Sequence, residues 1–141
     1  MDVMIVDDEP VARRTVRECC EREPDLTVVG EYGDPRTALE AIRAGTPGTE
    51  ADAVARDAII ADGYGDEFGH GLGHGVGIEV HEAPRLSKRS EETLEVGDVV
   101  TVEPGVYLPG RFGVRVEDLV MVTDNGCRNL SGVAKDLRVV D

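Results

Sequence analysis

The segment FGHGLGHGVGIEVHEAP (68–84) has a glycine at every second position from residue 69 to residue 77. An interior glycine costs a helix about 1 kcal/mol relative to alanine, so this alternation excludes a stable helix and predicts an extended strand. Bare glycine positions in a strand let another backbone, a metal ion or a ligand approach closely. The same segment holds every histidine of the chain: His70, His74 and His81. In an extended strand, His70 and His74 point the same way.

Short apolar runs downstream of this segment are typical of a mostly antiparallel sheet. They predict strands at 99–103, 106–108, 113–116 and 119–123. The sequence Asp124-Asn125-Gly126 is a strong hairpin signal. Upstream, ADAVARDAIIA (51–61) predicts one amphipathic helix.

Two carboxylates in VTVEPGVYLPG (100–110) and FGVRVEDLVMV (112–122) complete a candidate metal site with His74. Glu103 ends a predicted strand just before a Pro-Gly turn, and Glu117 lies in the next strand but one. One imidazole and two carboxylates form a donor set that suits Mn, Co, Fe or Zn. Such an ion lowers the pKa of bound water to about 7 and polarises a carbonyl group. His81 could then serve as a proton shuttle.

Arg115 allows more than one interpretation. It lies two residues from Glu117, so the two side chains share one face of a predicted strand, with Val114 and Val116 packed on the other face. From the residues alone, Arg115 could simply pair with Glu117 or Asp118.

The first 45 residues follow a different pattern, strand–helix–strand–helix, which is typical of a parallel sheet. Apolar runs at 3–6 and 26–29 predict buried strands, while Pro10 and Asp34-Pro35 mark the starts of helices. The pattern changes between about residues 37 and 48, without a linker. We therefore expect an α+β fold, with a β-α-β-α segment at 1–45 joined to a region with a curved antiparallel sheet at 46–141.

The second region resembles the C-terminal half of the pita-bread metallopeptidases. That family includes methionine aminopeptidases, Xaa-Pro aminopeptidases, proline dipeptidases and creatinase. HGLGHGVGIEVHEAP, VTVEPGVYLPG and GVRVEDLVMVTDNG are most similar to the bacterial Xaa-Pro peptidase branch. The resemblance implies a partial pita-bread fold, peptide substrates and a divalent metal (Mn, Co, Zn or Fe).

The resemblance also implies a role for each candidate residue. In the family, five ligands hold two ions, and two of the five are aspartates on an upstream β-hairpin. We do not find that hairpin in this sequence, so we expect an impaired enzyme that binds one ion rather than two. The implied roles are metal ligand for His74, Glu103 and Glu117, catalytic residue for His81, and substrate contact for His70 and Arg115.

The first region, MIVDDEPVARRTVRECCEREPDLTVVGEYGDPRTALEAI (4–42), resembles the opening of a response-regulator receiver domain. Asp7 and Asp8 match the acidic, Mg-binding pair of that family. The receiver pattern then stops, because the third strand with its phosphorylatable aspartate is missing. Asp57 is near the expected distance but falls in the predicted helix. Asp7 and Asp8 could instead only cap the first helix.

Composition narrows the classes of function that remain. A net charge of -14 over 141 residues argues against nucleic acid and anionic membrane surfaces as partners. The cysteines are odd in number and lack metal-type spacing, and we find neither a signal peptide nor a long apolar run. These features predict a cytoplasmic protein. Three functions stay open: an impaired metallo-aminopeptidase, a degenerate receiver or interaction module in phosphorelay signalling, and an inactive chimera. Since an exposed sheet edge invites self-association, a homo-oligomer is a further expectation.

Overall fold

A computed structural model describes residues 2–6, 17–22, 24, 27–32 and 37–132 of the chain. The chain divides into two compact units, one formed by Met1–Arg36 with Ala134–Asp141 and the other by Thr37–Val133. This division lies at the N-terminal limit of the interval in which the sequence pattern changes. Residues 37–45, which the sequence pattern assigns to the first region, lie in the second unit.

The first unit contains two parallel strands, β1 (Asp2–Val6) and β2 (Thr27–Tyr32), with helical residues at 17–21 between them in sequence. The two predicted strands and their parallel pairing are therefore confirmed, although β2 runs further than the predicted 26–29. Asp7 and Asp8 lie outside the described residues, as do Pro10, Asp34 and Pro35.

The second unit is built from two helices and seven strands in its described part. Its main sheet has the strand order β4-β3-β5-β8-β9, with every neighbouring pair antiparallel, and β6 and β7 form a separate antiparallel pair. The predicted antiparallel sheet is thus confirmed. The elements are α1 (Thr37–Glu40), α2 (Gly48–Ala61), β3 (Gly73–Gly75), β4 (Glu82–Leu86), β5 (Val99–Val102), β6 (Gly105–Leu108), β7 (Phe112–Arg115), β8 (Asp118–Thr123) and β9 (Gly126–Asn129).

The core of this unit lies between the main sheet and the two helices. Alternate residues of β8 are buried, so Val120 and Val122 face inward, as a strand with one covered face requires. Helix α2 contributes only the small side chains of Ala51 and Ala55 to this core. The other members of the core are Ala38, Ile42, Leu72, Leu86, Leu94, Val100 and Val102. Ala38 and Ile42 thereby tie residues 37–45 to this sheet.

The glycines of the 69–77 segment allow close backbone approach, as their spacing predicts. A Cβ atom on Gly73 would overlap the carbonyl oxygen of Thr101, and one on Gly75 would overlap that of Ala83. The extended strand is shorter than predicted, however, because β3 contains only three residues. The backbone bends at residues 70 and 72, before β3, and again from residue 77 onward.

The β6–β7 pair departs from the predicted packing. Val114 is 37% exposed, because β6 and β7 pair with each other outside the main sheet and leave one face uncovered. Strand β7 ends at Arg115, so Val116 and Glu117 lie in the connection to β8. The predicted packing of Val114 and Val116 on the face opposite Arg115 is therefore wrong for Val114, which is exposed, whereas Val116 is partly buried.

The three cysteines are free thiols, with Cys19 exposed and Cys127 partly buried on β9. The Cys127 thiol lies 3.6 Å from the carbonyl oxygen of Leu39. None of the helices in the described part of the chain has the length and apolar character that a bilayer crossing requires.

Burial and, to a lesser extent, the nearby Asp118 carboxylate raise the pKa of the Cys127 thiol. Because the thiolate is the reactive form, we expect iodoacetamide at pH 8 to alkylate Cys127 several-fold more slowly than Cys19. The difference should shrink as the pH rises and Cys127 ionises. Peptide mapping of timed samples measures both rates, and equal rates at pH 8 would contradict the expectation.

Candidate active site

His74 and Glu103 are brought together by the pairing of β3 with β5. His74 is the middle residue of β3, and Glu103 directly follows β5. The Glu103 amide donates to the carbonyl oxygen of Leu72 at 2.7 Å, which holds the end of β5 against the start of β3. Thr101 connects the two: its hydroxyl accepts from the His74 amide at 3.1 Å and donates to Glu103 Oε1 at 3.0 Å.

The His74 Nε2 atom lies 3.2 Å from Glu103 Oε1, and each side chain is only 12% exposed. The other ring nitrogen, Nδ1, lies 3.0 Å from the carbonyl oxygen of Gly75. A carbonyl oxygen can only accept, so Nδ1 carries the hydrogen and Nε2 of the neutral ring presents a lone pair to the carboxylate. Two acceptors facing each other are stabilised by a proton or by a cation shared between them.

His81 stands beside this pair on an exposed loop. Its ring centroid is 4.3 Å from that of His74, with the planes inclined at 51°. Glu82 stabilises the loop by accepting from the Glu79 amide at 3.0 Å. The exposed ring of His81 is therefore next to His74 and open to solvent, as exchange of a proton requires.

Glu117 is linked to the pair through Arg115. The Arg115 guanidinium lies 3.5 Å from Glu103 Oε2 and 3.9 Å from Glu117 Oε2. Glu117 and Arg115 are each about half exposed, at 49% and 48%. The ion pair between Arg115 and Glu117, one of the alternatives left open by the sequence, is present, and Glu103 is a second partner of the same arginine.

His70 lies apart from β3 and has different neighbours. Its Nδ1 donates to the carbonyl oxygen of Gly71 at 2.7 Å, and its Nε2 lies 3.1 Å from the hydroxyl of Tyr107. The ring also meets Phe68 edge to face, with centroids 5.0 Å apart. Since residue 70 lies at a bend, His70 and His74 are not neighbours on one continuous strand, which corrects the expectation from the alternating glycines.

The donor set fits a metal ion only in part. Among the residues that the structure describes, no group of three or more His, Cys, Asp or Glu side chains is arranged to hold a metal ion. His74 and Glu103 meet, whereas Glu117 is partly neutralised by Arg115 rather than joined to them. The assignment of His74, Glu103 and Glu117 as metal ligands stays a prediction.

Sequence reasoning missed four residues that shape this region. Thr101 and Tyr107 gave no signal, because a single hydroxyl in a strand has no characteristic spacing. Asp52 and Arg56 did give one, since they are four residues apart on the predicted helix, but such pairs are usually exposed. Here both are buried, at 1% and 6% exposure.

The model of metallopeptidase family M24 matches residues 35–124 of this chain. The chain belongs to metallopeptidase family M24. The resemblance of the sequence to pita-bread metallopeptidases is thereby confirmed, and the matched region begins earlier than residue 46.

Individual M24 relatives are similar over the same part of the chain. An uncharacterized peptidase, YqhT, from Bacillus subtilis is 54% identical over 99 residues, which are 70% of this chain and 28% of the relative. An Xaa-Pro dipeptidase from Pyrococcus furiosus is 47% identical over 102 residues, covering 72% of this chain and 29% of the relative.

Solved M24 structures give the same result for the fold. An Xaa-Pro dipeptidase from Bacillus anthracis superposes with a TM-score of 0.73 at 48% identity, covering 75% of this chain and 30% of that one. A prolidase from Pyrococcus horikoshii superposes with a TM-score of 0.72 at 37% identity, covering 95% of this chain and 36% of that one. The chain therefore spans about a third of the length of the relatives it matches, and its fold is that of the corresponding part of an M24 domain.

Proposed function

We propose that this chain carries the histidine–glutamate part of a metal-dependent peptide hydrolase site of the Xaa-Pro type, and that it is impaired when it acts alone. The contact between His74 Nε2 and Glu103 Oε1, at 3.2 Å, carries the proposal. Membership of family M24 and the similarity to proteins named Xaa-Pro dipeptidase support the choice of substrate class.

The proposed roles follow from the contacts of each side chain. His74, Glu103 and Glu117 would hold one divalent ion, which would supply Lewis-acid chemistry when bound. His81, exposed beside His74, would give and take protons at the edge of the site. The roles of the remaining two residues concern the peptide: Arg115 would attract its carboxylate and His70 would contact it.

Impairment is proposed because three ligands leave an ion with little protein coordination. A catalytic metal keeps an open position for water but needs enough protein ligands to stay bound. Glu117 also has to leave Arg115, 3.9 Å away, before it can join His74 and Glu103. Breaking an exposed ion pair costs only about 0–1 kcal/mol, so an incoming cation can compete with the guanidinium.

Calorimetric titration with MnCl2, CoCl2 or ZnCl2 tests the proposal. We expect heat corresponding to at most one ion per chain, and we expect His74→Ala to remove it by deleting the only nitrogen donor of the trio. His70→Ala is the matched control, because it removes a histidine of the same segment that contacts Tyr107 instead. No metal-dependent heat, or the same heat in the His74 variant, would contradict the proposal.

The sequence resemblance of residues 4–42 suggests a second candidate function, a degenerate receiver-like module, with which the parallel pairing of β1 with β2 is compatible. Phosphotransfer in a receiver requires an acceptor aspartate at the end of a strand. Asp57 is instead exposed on helix α2. We therefore expect no stable mass increase after incubation with acetyl phosphate and Mg²⁺, measured by intact-mass spectrometry. A phosphate that appears in the natural chain and is lost in Asp57→Ala would favour the receiver function.

A further inference from the structure

A buried ion pair on helix α2 lies outside the candidate metal site. Arg56 Nε donates to Asp52 Oδ2 at 2.7 Å and Arg56 Nη2 donates to Asp52 Oδ1 at 2.9 Å, which is a bidentate arrangement. The side chains of Arg56 and Asp52 are only 7% and 1% exposed. A buried pair of this kind stabilises a fold little, because desolvation of both charges offsets their attraction.

The same pair fixes the backbone of the glycine-rich segment at three alternate residues. Arg56 Nη1 donates to the carbonyl oxygen of Phe68 at 2.9 Å, and Nη2 donates to that of His70 at 2.7 Å. Asp52 Oδ1 accepts from the Leu72 amide at 3.0 Å. The Arg56 guanidinium also lies over the Phe68 ring, 4.2 Å from its centroid.

Such fixation matters at this place in the chain because the residues between these contacts are glycines. Gly69 and Gly71 have more backbone freedom than other residues, and β3 begins only at Gly73. His70 therefore lies outside the sheet pairing, between two glycines, and only the buried side chains of Phe68 and Leu72 anchor the segment on either side of it. The planar guanidinium, with five donors in a rigid fork, can bind two carbonyl oxygens and one carboxylate together, which a lysine ammonium cannot.

We propose that Asp52 and Arg56 are positioning residues that set the location of the His70 ring against Tyr107. With the carbonyl oxygen of His70 held by Arg56, the ring nitrogens reach Gly71 and the Tyr107 hydroxyl at 2.7 and 3.1 Å. The use of this position for a peptide substrate rests on the function proposed above. The positioning itself does not, so the two can fail separately.

A double variant, Asp52→Ala with Arg56→Met, tests the positioning. Apolar residues can replace a buried ion pair without loss of folding, and alanine and methionine are both good helix formers. We expect the variant to keep its circular dichroism spectrum. The nuclear Overhauser effect between the His70 and Tyr107 rings, 5.5 Å apart in the natural chain, should disappear. Exchange of the Leu72 amide should accelerate at least about tenfold, because its acceptor is gone.

Two internal comparisons make the result specific. The contact between the His74 and His81 rings should persist in the double variant, since neither residue bonds to the pair. Arg56→Lys keeps the charge and is expected to weaken the His70–Tyr107 contact as well, because one ammonium cannot replace the fork. A folded double variant that retains the His70–Tyr107 contact and slow Leu72 exchange would overturn the proposal.

The metal titration separates this inference from the proposed function. If the double variant loses the His70–Tyr107 contact but the natural chain binds no metal, the positioning role stands and the proposed hydrolase function fails. If the double variant keeps that contact and still gives the metal-dependent heat, the positioning role fails and the proposed function stands.

Discussion

Gly73→Ala is expected to lower the free energy of unfolding by about 3 kcal/mol, the upper part of the range for overpacked sites. The added methyl group would overlap the carbonyl oxygen of Thr101, which is backbone and cannot rotate away. The strands β3 and β5 would have to separate, and the bonds that join them near His74 and Glu103 would lengthen or break. Urea unfolding followed by circular dichroism measures the loss.

Gly69→Ala is the matched control for that substitution. A methyl group on Gly69 has no atom within 4 Å, and the backbone there needs no left-handed conformation. Its effect should lie between no change and a gain of about 1 kcal/mol, since alanine restricts the unfolded chain. Equal losses for the two variants would show that general glycine removal, rather than the close approach of β5, determines the outcome.

Arg56→Met is expected to cost about 3–5 kcal/mol, because it leaves the carboxylate of Asp52 buried without its counter-charge. Asp52 is 1% exposed and would retain only the Leu72 amide among the hydrogen bonds described above. Such a loss is a large part of the 5–15 kcal/mol by which ordinary domains are stable. The same urea titration measures it.

An exposed pair with the same spacing provides the comparison. Arg17 lies 3.4 Å from Glu21, also four residues on, with side chains 37% and 57% exposed. Arg17→Met should change stability by less than about 1 kcal/mol, as is usual for surface ion pairs. If Arg56→Met lowered the free energy of unfolding equally little, the buried carboxylate of Asp52 would have to be hydrated or protonated in the variant.

The regular elements of the second unit could be predicted because their signals are local. Helix α2 follows from the amphipathic run at 51–61, and the structure begins it three positions earlier at Gly48. The β8–β9 hairpin follows from Asp124-Asn125-Gly126, since that turn sequence suits the twist of two antiparallel strands. The approach of His74 to Glu103 was predicted from their donor types and strand positions, and the motifs of a known family that contain both residues support the same prediction.

The parts that could not be predicted depend on long-range packing. The bend at residue 70 separates His70 from β3, and the contacts that hold it come from α2, fourteen residues back in sequence. Alternating glycines are compatible with a straight strand and with a bent one, so local pattern could not distinguish them. The exposure of Val114 likewise depends on β6 and β7 forming their own pair, which an alternating strand pattern does not reveal.

Because of the Thr101 hydroxyl, the site forms only when β3 and β5 pair in the correct register. The hydroxyl bonds to the His74 amide on one side and to the Glu103 carboxylate on the other. If β3 and β5 slipped by one residue, a valine methyl from Val100 or Val102 would replace the hydroxyl, and alternate side chains would exchange faces. Glu103 would then turn away from His74. A misaligned sheet could keep its strands and still lack this pair, so correct registration is as necessary to the site as the identity of its residues.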